Sequence, residues 1–92
     1  MATLELKKPF MHDGEEITKI EYDLDSLTGN DIEKAVSDLG KKGVMIALVE
    51  TDQRYHAMLF SIAAGMAYED VCRLPMKDFT KATTAVRDFF LE

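Results

Sequence analysis

The chain has no tryptophan, two prolines, one cysteine and two histidines among its 92 residues. Each shortage removes a class of protein. A lone Cys72 cannot close an internal disulfide, so nothing points to a secreted, disulfide-stapled scaffold. His12 and His56 stand too far apart for a His-x-x-x-His or His-Glu-x-x-His site, and no Cys-x-x-Cys exists, so zinc-ligand spacing is missing. Asp23 and Asp25 open like a calcium loop, but Leu27 stands where the third oxygen ligand belongs, and the required Gly and closing Glu are missing. These carboxylates read as a solvated strand end. Positive charge is also short: 11 Lys and Arg stand against 17 Asp and Glu, for a net charge of −6. Phosphate backbones and anionic membranes are bound by displacing counterions with Lys and Arg, so neither is an expected partner. The longest nearly apolar stretch, Ala57 to Ala67, falls well below the roughly 20 residues that a bilayer requires. Met1 to Lys8 alternates polar and apolar residues and shows no signal-peptide core. The expected compartment is the cytoplasm.

Catalytic constellations are equally sparse. Cys72 with His12 or His56 is the sole Cys–His combination, and Cys72 between Val71 and Leu74 reads as a small buried thiol. Ser26, Ser37 and Ser61 lack a nucleophile-elbow context, and the five glycines match no phosphate-binding loop. Glu15-Glu16 and Glu69-Asp70 are sequence neighbours, and neighbours on a strand or helix do not converge on one substrate atom. The expectation is a non-catalytic protein with no cofactor and no metal.

What is present is patterned apolar surface, 47% of the residues, enough to exclude a disordered chain. Leu4 and Leu6 alternate with Thr3, Glu5 and Lys7, and Ile20, Tyr22 and Leu24 alternate with Lys19, Glu21 and Asp23. A period of two marks half-buried strands. Asp13-Gly14 between them is a two-residue hairpin signal, which pairs Phe10 with Ile17. Continued without a break, that register sets Leu6 against Glu21 on conflicting faces. One extra residue near Pro9 repairs it and predicts Leu6 opposite Ile20 and Leu4 opposite Tyr22.

Helices follow. Thr28 is a predicted N-cap, Leu27 and Ile32 have the spacing of a hydrophobic staple, and Ile32, Ala35, Val36 and Leu39 make one stripe that predicts a surface helix, residues 28–40, lying on the hairpin. For Val44 to Val49 a short buried strand and an extended connector both fit, with β-branched residues and nearby glycines favouring extended backbone. Residues 51–65 predict a helix apolar on nearly every side: Tyr55, Met58, Leu59, Ile62 and Ala63 on one face, Ala57, Phe60 and Ala64 opposite. A helix of that kind is buried all round. Either the rest of the chain or a partner must cover it, and this predicts self-association or a protein complex. Gly65 predicts its left-handed stop. A short helix over 68–74 ends at Pro75, and a last helix spans 76–91. The order predicts a single α+β domain, 1–92, with an N-terminal antiparallel β-hairpin (1–25) packed with three to four α-helices.

In that order and spacing the chain resembles the tail assembly chaperones of long-tailed bacteriophages, the group that includes the Mu-like phages. The resemblance is carried by Leu6 to Pro9, Asp13-Gly14, Ile17 to Tyr22 and Leu27-Thr28-Gly29-Asn30-Asp31-Ile32. It continues through Tyr55, Ala63-Ala64-Gly65, Glu69-Asp70-Val71, Leu74-Pro75, Asp78-Phe79 and Val86 to Leu91. It implies a protein that coats the apolar, helical tape-measure protein in the host bacterial cytoplasm, keeps it soluble, helps recruit tail-tube subunits and stays out of the mature virion. It implies no catalytic residues. A groove for an apolar helix needs adaptable side chains, and there are six methionines. The expected protein-binding residues are Met58, Phe60, Ser61, Ile62, Ala64, Phe79, Val86 and Phe90. Two other readings stay open: a structural tail or adaptor protein of the virion, and a small DNA-binding regulator built on the last two helices.

Overall fold

The computed structural model describes residues 2–43 and 52–91. The Val44 to Val49 segment lies outside the described residues. A two-stranded antiparallel hairpin, β1 (Ala2–His12) and β2 (Glu15–Tyr22), precedes helices α1 (Gly29–Lys41), α2 (Gln53–Ala64), α3 (Tyr68–Cys72) and α4 (Met76–Phe90). This is the α+β arrangement that the sequence predicts.

The turn forms at Asp13-Gly14, with φ of 52° and 81°. Positive φ at both central residues matches the right-handed twist of the flanking strands, and Gly and Asp tolerate it. Phe10 pairs with Ile17 as expected. The irregularity lies at Pro9 but is larger than one residue. Glu5 pairs with Lys19, so residues 6–9 of β1 stand opposite Thr18 alone: three extra residues where one was expected. Leu4 therefore faces Ile20, and Ala2 faces Tyr22, in place of the Leu6–Ile20 and Leu4–Tyr22 pairs. Any odd excess restores the same inward face, so alternation alone cannot distinguish one from three. The long excursion is stabilised from outside the sheet. The carboxyl group of Asp78, fully buried on α4, accepts the backbone N–H of Lys7 at 2.8 Å and of Lys8 at 3.3 Å. Pro9 has no N–H to satisfy, and the Lys81 ammonium donates to the Glu5 carbonyl.

The hairpin tip is held by α3. The Arg73 guanidinium lies 5.1 Å from the centre of the Phe10 ring, and Asp70 joins Arg73 (2.8 Å) to His12 (3.3 Å). Arg73 donates a hydrogen bond to Asp70, which holds that carboxyl below the usual carboxylate range.

Helix α2 is the centre of the molecule. Seven successive residues, Tyr55 to Ser61, are buried. The Asp52 side chain caps its start through the N–H groups of Arg54 and Tyr55. Gly65, at φ 70°, ends it, with Met66 N–H donating to the Ser61 carbonyl and Gly65 N–H to Ile62. That paired 6→1 and 5→2 pattern is a Schellman stop. Within one copy β2, α1, α3 and α4 all pack on α2, and the Tyr22 and Phe60 ring centres are 5.0 Å apart. Ile62, Ala63 and Ala64, near its end, stay half-buried.

Two expectations are corrected. Helix α1 packs mainly on α2 and not on the hairpin, whose own neighbours are α4, against β1, and α2, against β2. Of its stripe, Ala35 and Leu39 are buried, while Ile32 and Val36 stay 36% and 43% exposed. Cys72 is exposed and not a buried thiol; Val71 and Leu74 on either side of it take the core positions.

His56 is only 2% exposed, and its Nε2 has no hydrogen-bond partner. Burial lowers its pKa below the ordinary 6.5, with nearby Asp52 opposing the shift and Arg87 adding to it. The folded state therefore favours the neutral ring, and the unfolded chain binds the proton first. Stability is complete above the ordinary value and falls as pH drops through 6.5 towards the depressed folded value. Urea midpoints at neutral and mildly acidic pH should separate for the native chain. They should separate less for His56→Leu; equal separation in the two would refute the assignment.

Candidate protein-binding surfaces

Helix α1 is amphipathic along its own axis, and each side of it borders an opening. On one side lies a small apolar cleft of about 180 Å³ between the N-terminal turn of α1, α2 and the C-terminal end of α4. Leu24, Leu27 and Ile32 form one wall and Val86, Phe89 and Phe90 the other, over Leu59. Local chemistry explains the wall. The Asp31 side chain accepts the Thr28 N–H at 2.8 Å, which fixes where α1 starts and sets Ile32 at the cleft mouth beside Leu27. Phe90, 41% exposed, is flanked by Tyr55 and His56 at ring-centre distances of 6.3 and 6.1 Å. With Ile32, 36% exposed, Phe90 gives the cleft an open apolar edge, the kind that marks a protein-interaction site.

On the other side of α1 lies a wider groove of about 450 Å³. Met58, Ser61, Ile62 and Met66 line it, with Tyr68 and Glu69 at one end and Lys34, Asp38, Lys41 and Lys42 along the α1 rim. Its charges are engaged with one another. Lys34 pairs with Asp38 at 2.7 Å, and Lys42 donates to Glu69 and lies over the Tyr68 ring. Those hydrogen bonds lower the Asp38 and Glu69 pKa values and raise that of Lys42. Burial, with Cys72 nearby, pushes the Tyr68 hydroxyl up to about 12, so it is a neutral donor at any physiological pH.

The structure therefore divides the residues expected to bind protein. Val86 and Phe90 meet at the apolar cleft; Met58, Ser61 and Ile62 meet at the groove. Phe60 belongs to neither, being sealed in the core against Tyr22. Ala64 and Phe79 are half-buried and pack on the core. Met58, Ser61 and Val86 are themselves buried, so they form the floors of these openings and leave the rims to other residues. The Ser61 hydroxyl is occupied, donating to the Met58 carbonyl at 2.6 Å. Ile32, Leu27 and Phe89 were not foreseen at the cleft. Leu27 and Ile32 were visible as a staple, and nothing in that spacing tells which side of it stays open.

Among the described residues no cluster of His, Cys, Asp or Glu is arranged to hold a metal ion, and no helix is long and apolar enough to cross a membrane. What the fold offers is a pair of openings floored by apolar side chains and separated by one amphipathic helix. Residues 3–91 match the family described as phage tail assembly chaperone proteins, E, or 41 or 14, and the chain belongs to that family. No curated protein and no solved structure matches it.

Proposed function

We propose that this chain binds the tape-measure protein of a phage tail, keeps it soluble in the host bacterial cytoplasm and assists assembly of the tail tube without catalysing a reaction or entering the virion. The observation that carries the reading is the apolar cleft lined by Ile32 and Phe90, both of which remain exposed. An amphipathic helix anchors through side chains spaced three or four residues apart, and a cleft of this volume takes one or two such anchors. The net charge of −6 keeps closely spaced copies from aggregating. Here α1 and the end of α4 supply the contact surface, and α2 supports it from beneath.

Co-expression tests this. The tape-measure protein should move into the soluble fraction and co-purify with the chain. Ile32→Asp and Phe90→Asp should each abolish most of that gain. Both side chains are over a third exposed, so denaturation midpoints should change little. No solubility gain with the native chain would end the reading. A gain untouched by both substitutions would move the contact away from this cleft. Mass spectrometry of purified particles should find the chain missing, which separates a chaperone from a structural tail component.

A further inference from the structure

A further opening, edged by lysines, is independent of the apolar cleft and of what that cleft receives. Where β1 bulges over the start of α4, an opening of about 380 Å³ is lined by Lys7, Lys8, Pro75, Met76 and Lys77 around the buried Asp78. The three lysines are exposed, and among the described residues none of them is ion-paired. Asp78, the carboxyl group lining the opening, is already engaged by the Lys7 and Lys8 N–H groups. Met76 at the same opening is 83% exposed, more than any other large apolar side chain described. An acidic molecule thus concentrates three lysines, against the single carboxyl group of Asp78, around an exposed methionine.

The matching surface lies on the same hairpin. Its tip exposes Asp13, Glu15 and Glu16 beside an exposed Met11. These are three carboxylates with one flexible apolar side chain, the inverse of the patch at the bulge. A copy's own tip cannot fill its own patch. Lys8 and Asp13 are five residues apart on an extended strand, about 17 Å at roughly 3.4 Å per residue, and the tip is held to α3 through His12, Asp70 and Arg73.

We infer that the Lys7–Lys8–Lys77 patch receives the Asp13–Glu16 hairpin tip of a second copy of this chain. Lys7 and Lys8 lie on β1 and the tip joins β1 to β2, so a two-fold axis can engage both pairs at once, each copy giving one tip and taking the other. Self-complementary surfaces of this kind generate closed dimers. Charge complementarity sets the register and the salt dependence, and the two methionines supply contacts that adapt in shape. An extended polyanion is a poor occupant, because the rest of the −6 surface repels it.

Light scattering with size separation tests this on the full chain. At low ionic strength the mass should be twice 10.4 kDa. Near about 1 M salt, where the screening length is about 3 Å, it should fall towards one copy. Glu15→Lys/Glu16→Lys should be monomeric at low salt, as should Lys8→Glu/Lys77→Glu, each with the native circular dichroism spectrum. An equimolar mixture of the two should regain the doubled mass, because every reversed tip then meets a reversed patch. A native chain that stays monomeric at low salt, association that survives both reversals, or a mixture that fails to associate would each overturn the inference.

Discussion

Asp78→Ala should lose on the order of 2–5 kcal/mol of folding stability, measured from urea midpoints. Both oxygens of this buried side chain accept backbone N–H groups from β1, at 2.8 and 3.3 Å, across the three-residue excess that the β2 ladder cannot satisfy. Removing the acceptor leaves two donors without their partner in a partly buried site, each worth about 1–3 kcal/mol. Domains of this size hold about 5–15 kcal/mol in total, so the substitution removes a large share. Asp78→Asn should fall between the native chain and Asp78→Ala, since its amide keeps one acceptor oxygen. A loss below about 1 kcal/mol for Asp78→Ala would mean that water or a shifted register satisfies Lys7 and Lys8 without α4.

Phe60→Ala should be as severe, about 3–5 kcal/mol. The ring is fully enclosed and packs on Tyr22, and the surrounding β2, α1, α3 and α4 all lean on α2, so they cannot close over the space left behind. The expected outcome is an unfolded or barely folded chain at 37 °C by circular dichroism. The contrast with Phe90 is informative. Both are phenylalanines on apolar helix faces, yet Phe90→Asp should leave the fold intact and affect partner binding, while Phe60→Ala should remove the fold.

That contrast shows where sequence reading ends. Element type, turn position and stop signals were legible because they are local. Asp13-Gly14, the Thr28 cap, Gly65 and Pro75 act within a few residues of themselves. The central position of α2 was legible too, since seven buried residues in succession leave it no wet side. Three features needed distant partners and so were not legible. The bulge size depends on Asp78, some 70 residues away. The sides of α1 that stay open depend on how α2, the end of α4 and the start of α3 meet around it. The division of the expected binding residues into core, cleft and groove depends on four elements meeting around one helix. Phe60 and Phe90 have similar helical context, and only packing distinguishes a sealed ring from an exposed one.

The clasp between β1 and Asp78 also sets an order of events during synthesis. The first strand leaves the ribosome early, but the acceptor for its bulge lies 71 residues beyond Lys7. At roughly 5–20 residues per second that gap lasts about 4–14 s. Through this interval the hairpin has no support for Lys7 and Lys8, and α2 lacks the helix that covers its far side. Pairing so distant in sequence also slows closure once the chain is complete. The nascent chain therefore exposes α2 before α4 exists, and the surfaces described here take shape only once α4 has been made.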